Sequence, residues 1–128
     1  MSTETDPLLR SRGVVHREAT RRSWASVVST LSDCLGNSIV ALMADVTPET
    51  VSRWSHGQAS NPKPDSERRL RDAYRIFNDL TKFDSPHTVR AWFIGSNPYL
   101  GESSPAELIA SGDTRAVLAA ARAFRDLG

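Results

Sequence analysis

Of the 16 Lys and Arg residues in the 128-residue chain, all but Lys63 and Lys82 are Arg. Arg binds phosphate, guanine or carboxylate through two parallel N–H donors, so this composition favours recognition of anions. The side chains that usually carry catalysis are scattered. His16, His56 and His87 fall on different segments, and no pair has the spacing of a local metal site. Cys34 is the single cysteine. It excludes a disulfide framework and a zinc knuckle, and it reads as a small half-buried hydrophobe. No glycine-rich phosphate loop is present, and the Ser, His and Asp residues form no recognisable triad spacing. The chain is therefore expected to be no enzyme and to need no cofactor and no metal.

The net charge is only +1, from 16 basic and 15 acidic residues. A non-specific DNA coat protein would be far more basic, whereas a specific reader needs only a local basic face. Hydrophobic residues at 39% and charged residues at 24% make an ordinary globular balance. No apolar run approaches the roughly 18 residues of a membrane span, and the N-terminus lacks a signal-peptide core. A cytoplasmic protein is the expectation.

The stretch Asn37–His56 has the order of a helix-turn-helix. A short apolar segment, Ser38 to Ala44, is capped by Asn37 or Ser38. Its small residue Ala41 permits a close helix crossing. Asp45-Val46-Thr47 makes the turn, with Asp45 where a left-handed residue is needed; Asp tolerates that region better than most non-Gly residues. Thr47 as N-cap, Pro48 at the first helical position and Glu49 in the first turn start the next helix. Val51 and Trp54 supply its inner face, and Gly57 can take a left-handed cap after His56. The plain alternative is a helical hairpin whose polar face is only solvated.

The elements around this pair are all helical by pattern, and no strand is predicted. Residues 1–15 form a polar tail. A first helix runs from His16 or Ser23 to Leu35, with Trp24, Val27, Val28 and Leu31 in one stripe. Residues 58–65 make a proline-bearing loop. In a longer helix, about Ser66 to Lys82, Leu70, Ala73, Tyr74, Phe77 and Leu80 repeat at helical spacing, with Arg68, Arg69, Arg71 and Asp72 on the other side. Asp84-Ser85-Pro86 marks a boundary. Beyond it come a helix through Val89, Trp92 and Phe93, a loop from Gly95 to Ser104, and a short helix from Pro105 that Gly112 stops. A last helix, capped by Asp113, carries Val117, Leu118, Ala121 and Phe124. Trp92 is expected as the core anchor of this half. The division is thus 1–15, 16–83 and 84–128.

The run TPETVSRWSHG resembles the recognition helix of Xre-type repressors. The resemblance implies that Thr47, Glu49, Ser52, Arg53 and His56 face DNA, with Thr50 at the edge. Arg53 is the candidate for guanine O6 and N7. Ser52 and Thr47 would read base edges or phosphate, and Glu49 would accept from cytosine N4 or only favour the helix start.

The segment VRAWFIGSNPYLGESSPAELIASGDTRAVLAA resembles the toxin-binding domain of the Xre/MbcA/ParS antitoxins. The pattern is carried here by Trp92, Asn97-Pro98-Tyr99-Leu100, Gly101, Pro105-Ala106-Glu107-Leu108, Gly112 and Val117, and the resemblance covers about 86–128. It implies an antitoxin of a type II toxin–antitoxin system, holding a RES-domain toxin that consumes NAD⁺ and repressing its own operon. The fold implied is an Xre-like helix-turn-helix bundle followed by a small three-helix toxin-binding domain. Arg122, Arg125 and Phe124 are the main candidates for toxin contact, with Asn97, Tyr99 and Arg115. The plain alternative is that these Arg only solubilise an Ala-rich helix. A homodimer on two operator half-sites, or a larger hetero-oligomer with toxin, is expected. Two other readings stay open: a stand-alone regulator, and an interaction protein with a degenerate helix-turn-helix.

Overall fold

The computed structural model describes residues 24–58 and 61–127. Among them the chain forms seven α-helices, one 3₁₀ turn and no strand. The first helix, α1, is described over 24–35; its start, expected at His16 or Ser23, lies outside the described residues, as does the 1–15 tail. Then follow α2 (Asn37–Ala44), α3 (Pro48–Ser55), α4 (Pro64–Leu80), α5 (Pro86–Ile94), a 3₁₀ turn (Pro98–Leu100), α6 (Pro105–Ala110) and α7 (Thr114–Leu127). The fold is all-α.

Local chemistry sets most of these boundaries. Thr47, Ser85 and Ser104 each precede a proline and accept a backbone N–H with their hydroxyl oxygen, from Thr50, Thr88 and Glu107. Ser104 and Glu107 complete a reciprocal capping box. Asp113 accepts the Ala116 amide ahead of α7. The start of α2 differs from expectation. Gly36, at φ 90°, is its cap, and neither Asn37 nor Ser38 caps it. The glycine lets α1 turn into α2 through one residue, which leaves no room for a side-chain cap. α4 begins two residues before Ser66, because Pro64 fits the first helical turn, and it ends at Leu80 rather than Lys82.

Most of the buried apolar side chains among the described residues form one connected cluster. It runs from Trp24, Val28 and Leu31 of α1 through Leu70, Phe77 and Leu80 of α4 to Phe93, Ile109 and Val117. Apolar packing therefore continues across the Asp84 turn. α2 packs against α3, α4 and α6, while α7 packs on α4 and α6. One continuous core suits a chain whose halves would each be marginal alone.

Two expectations about that core are corrected. Phe93, not Trp92, is the fully buried aromatic of α5; it shares the inner face with Val89 at i, i+4. Trp92 is half-buried beside it, meeting Phe93 edge-on at 5.2 Å and Phe124 at 5.8 Å between centroids. On α7 the inner face is Val117, Ala120 and Ala121, so Leu118 lies one position outside it and is 40% exposed.

Candidate functional site

The helix-turn-helix geometry is built from backbone accounting. Asp45 sits in the left-handed region at φ 59°, ψ 51°. Its amide donates to Leu42 O at 3.3 Å, and the next amide, Val46, donates to Ala41 O at 3.1 Å. This is the paired closure of a Schellman turn, with Asp in the place glycine usually takes. The last two carbonyls of α2 are reached from α4. Arg69 Nε donates to Met43 O at 2.7 Å and its Nη2 to Ala44 O at 3.1 Å. Ser66 Oγ donates to the same Ala44 O at 2.7 Å. All four terminal carbonyls of α2 are thereby satisfied, and the helix end that sets the angle of α3 is fixed.

α3 is firmly seated. Val51 and Trp54 are buried, with Ala41 buried in the facing helix, and the Trp54 ring meets Trp24 edge-on at 5.3 Å. Trp24 in turn lies under the Arg71 guanidinium, 5.5 Å from it. On the other side, Thr47, Glu49, Arg53 and His56 are exposed and Thr50 and Ser52 half-exposed. The six residues expected to read DNA thus share one accessible face. Arg53 Nη2 donates to Thr50 Oγ1 at 3.4 Å, and Thr50 Oγ1 lies 3.0 Å from Thr47 Oγ1. The guanidinium is loosely held over the helix start and can swing outward at small cost. His56 Nδ1 lies 2.8 Å from the Ser52 carbonyl. A carbonyl only accepts, so Nδ1 carries the proton and Nε2 is left for a ligand. Gln58 and Lys63 are exposed at the flank of this face.

The C-terminal candidates divide among three places. Asn97 is buried, and its Oδ1 accepts the Tyr99 amide at 2.9 Å. Its own amide donates to Ser103 O at 3.1 Å. The Asn-Pro turn therefore presents Tyr99, which is 62% exposed. Tyr99, Phe124, Trp92 and Leu127 line one cavity of about 400 Å³ between α5, the 3₁₀ turn and α7. Leu127 is 77% exposed there. Arg122 and Arg125 lie on a different cleft, between α4 and α7. Arg125 is tied across it to Asp79 at 3.2 Å and lies over Phe83 at 5.8 Å. Arg115 stands apart, near Gly112 and Arg68 at the start of α7.

The Arg68 hydrogen bond and charge hold the Asp65 carboxyl below its ordinary range. Burial pushes the Cys34 thiol up, and Asp33 adds to that. No group of three or more His, Cys, Asp or Glu residues fit for a metal occurs among the described residues. None of their helices is long and apolar enough to cross a membrane. Sequence reasoning missed the Ser66–Arg69 clamp. The two residues stand in a polar run, 66–69, with no local signal, and their partners lie 22 to 26 residues away.

The helix-turn-helix shares its core with a second helical half that exposes aromatic and cationic side chains. No protein-family profile matches the chain. It is homologous to the mycobacterial cidal antitoxin MbcA. The proteins of that name from Mycobacterium tuberculosis and Mycobacterium bovis are 29% identical over 97 residues, spanning 74% of this chain and 85% of theirs. Among solved structures, a chain of the crystal structure of the M. tuberculosis MbcT–MbcA toxin–antitoxin complex superposes with a TM-score of 0.67 at 28% identity. That match covers 80% of this chain and 93% of the other.

Proposed function

We propose that this protein is the antitoxin of a toxin–antitoxin pair, not itself an enzyme, and that it binds a toxin protein through the α5–α7 half. The observation that carries this reading is the fold shared with a chain of the MbcT–MbcA complex over nearly all of that chain's length. The exposed aromatic and aliphatic side chains around the 400 Å³ cavity support it. Tyr99 and Leu127 are large apolar groups left in water, as expected of a surface that a partner covers. Asn97 acts by holding Tyr99 in place. The partner is a RES-domain toxin that consumes NAD⁺, on the strength of the sequence resemblance, and the complex forms in the cytoplasm.

The second activity is repression of its own operon through α3. Arg53 is the base-reading residue, Ser52 and Thr47 flank it, and His56 offers Nε2. The helix-turn-helix half runs to about residue 83 and the toxin-binding half follows, with one core between them. Two copies on two half-sites supply the affinity that one short helix lacks. The test is co-expression with the protein encoded beside it. A stable complex with lost NAD⁺ consumption is the expected result. Absence of both a complex and a toxic neighbour would refute the antitoxin reading and leave a stand-alone regulator.

A further inference from the structure

A cleft of about 600 Å³ lies between α4 and α7, and both halves of the chain build it. Its floor is apolar. Val27, Ile76 and Ala121 are buried there, Tyr74 is half-buried, and Leu118 stands 40% exposed at the edge. Its rim is cationic. Among the described lining residues, five cationic side chains stand against one carboxylate, Asp79. That carboxylate is already engaged by Arg125. Arg71 is bound to Glu67 at 2.8 Å, and Arg75 only weakly to Asp72 at 3.7 Å. Lys82, in the turn after α4, and Arg122 on α7 have no carboxylate partner among the described residues.

We propose that this cleft is a second part of the toxin contact and that it takes an acidic amphipathic segment of the toxin. The inference rests on the antitoxin reading and extends it to α4, an element of the helix-turn-helix half. Charge complementarity selects the occupant: the uncompensated positive charge of Lys82 and Arg122 calls for carboxylates. The apolar floor between them calls for side chains that a nucleic-acid backbone does not have. Apolar residues at helical spacing, with Glu or Asp on either side, satisfy both demands.

The experiment measures affinity between the full chain and the neighbouring toxin at several salt concentrations. It compares wild type with Lys82→Glu/Arg122→Glu and with Lys82→Ala/Arg122→Ala. Thermal melts show that the variants fold, as exposed positions should allow. The expected result is at least about tenfold weaker binding for the reversal at low salt, less for the alanine pair. The gap should close toward about 0.5 M salt. Unchanged toxin affinity at every salt concentration, with wild type still binding, overturns the cleft proposal and leaves the antitoxin reading intact. A loss of operator affinity with toxin binding unchanged overturns it in favour of nucleic acid. Failure of wild type to bind the toxin removes the antitoxin reading, and this inference with it.

Discussion

Replacing Arg69 by Met should destabilise the fold far more than a half-exposed Arg normally would. Among the described residues, Arg69 is the sole donor to Met43 O and one of two donors to Ala44 O, the other being Ser66. Met43 and Ala44 are buried, so water cannot replace the lost bonds. A buried carbonyl left without a donor costs about 1–3 kcal/mol, and a bond from a charged donor contributes about 1.5–3 kcal/mol. The two overlap, so the net loss is put at about 2–4 kcal/mol. For a domain of this size that lowers the melting temperature by roughly 10–25 °C. Ser66→Ala should cost only about 1 kcal/mol, because Arg69 still serves Ala44 O. The double variant should lose about 1 kcal/mol more than the sum, since Ala44 O is then stranded as well. Urea unfolding followed by tryptophan fluorescence and circular dichroism measures all three. An Arg69→Met variant within about 0.5 kcal/mol of wild type, at unchanged denaturant slope, would refute the carbonyl accounting.

Asp45 is held at positive φ, so Asp45→Ala should cost about 1 kcal/mol. Asp45→Gly should fall within about 0.5 kcal/mol of wild type, as relief of strain offsets the greater freedom of the unfolded chain. Chemical denaturation compares the two. Arg53→Ala should weaken operator binding by about 1–3 kcal/mol in a salt-controlled gel-shift or anisotropy titration, with toxin affinity unchanged. Equal loss of both activities would argue against two separable surfaces. Cys34, whose thiol is pushed up by burial and by Asp33, should alkylate more slowly in the native chain than in the urea-unfolded chain at the same pH. A native rate equal to the unfolded one would contradict that environment.

What the sequence carried in advance was local. Thr47, Ser85 and Ser104 declare helix starts because each cap needs only the next three residues, and proline after the cap reinforces it. Asp45 could be placed in the left-handed region because the hairpin pattern demanded such a residue there. The inner face of α3 followed from Val51 and Trp54 in the helix-turn-helix pattern, and its outer face from the resemblance to Xre-type recognition helices. The misreadings are those that local pattern does not decide. Trp92 and Phe93 are adjacent, and which one points inward depends on the rotation of α5 against α6 and α4. Leu118 looked like core because α7 is rich in Ala, and the inner face of an Ala-rich helix has weak phase. Asn97 could be read as an exposed contact or a buried tie until its amide partner was seen. The clamp from Ser66 and Arg69 joins segments more than 20 residues apart, and the cationic cleft exists only once α4 and α7 are side by side.

The same clamp bears on how the two proposed activities relate. α2 is an eight-residue helix, too short to persist by itself, and it is covered by α4 on one side and α6 on another. Its C-terminal carbonyls are held by α4, and the turn that follows aims α3. α4 is in turn tied to α7 through Asp79 and Arg125 and lines the same cleft. A continuous path of hydrogen bonds and packed side chains therefore leads from the proposed toxin surface to the recognition helix. Such a path does not by itself establish coupling; a toxin must bind two settings of the clamp with different affinity for operator binding to change. If it does, linkage requires the operator to change toxin affinity by the same factor, and the direction would follow from whether toxin tightens or loosens α4 against α2. Among the described residues Arg69 is the side chain that donates to Met43 O, so Arg69→Met tests whether that difference passes through the clamp.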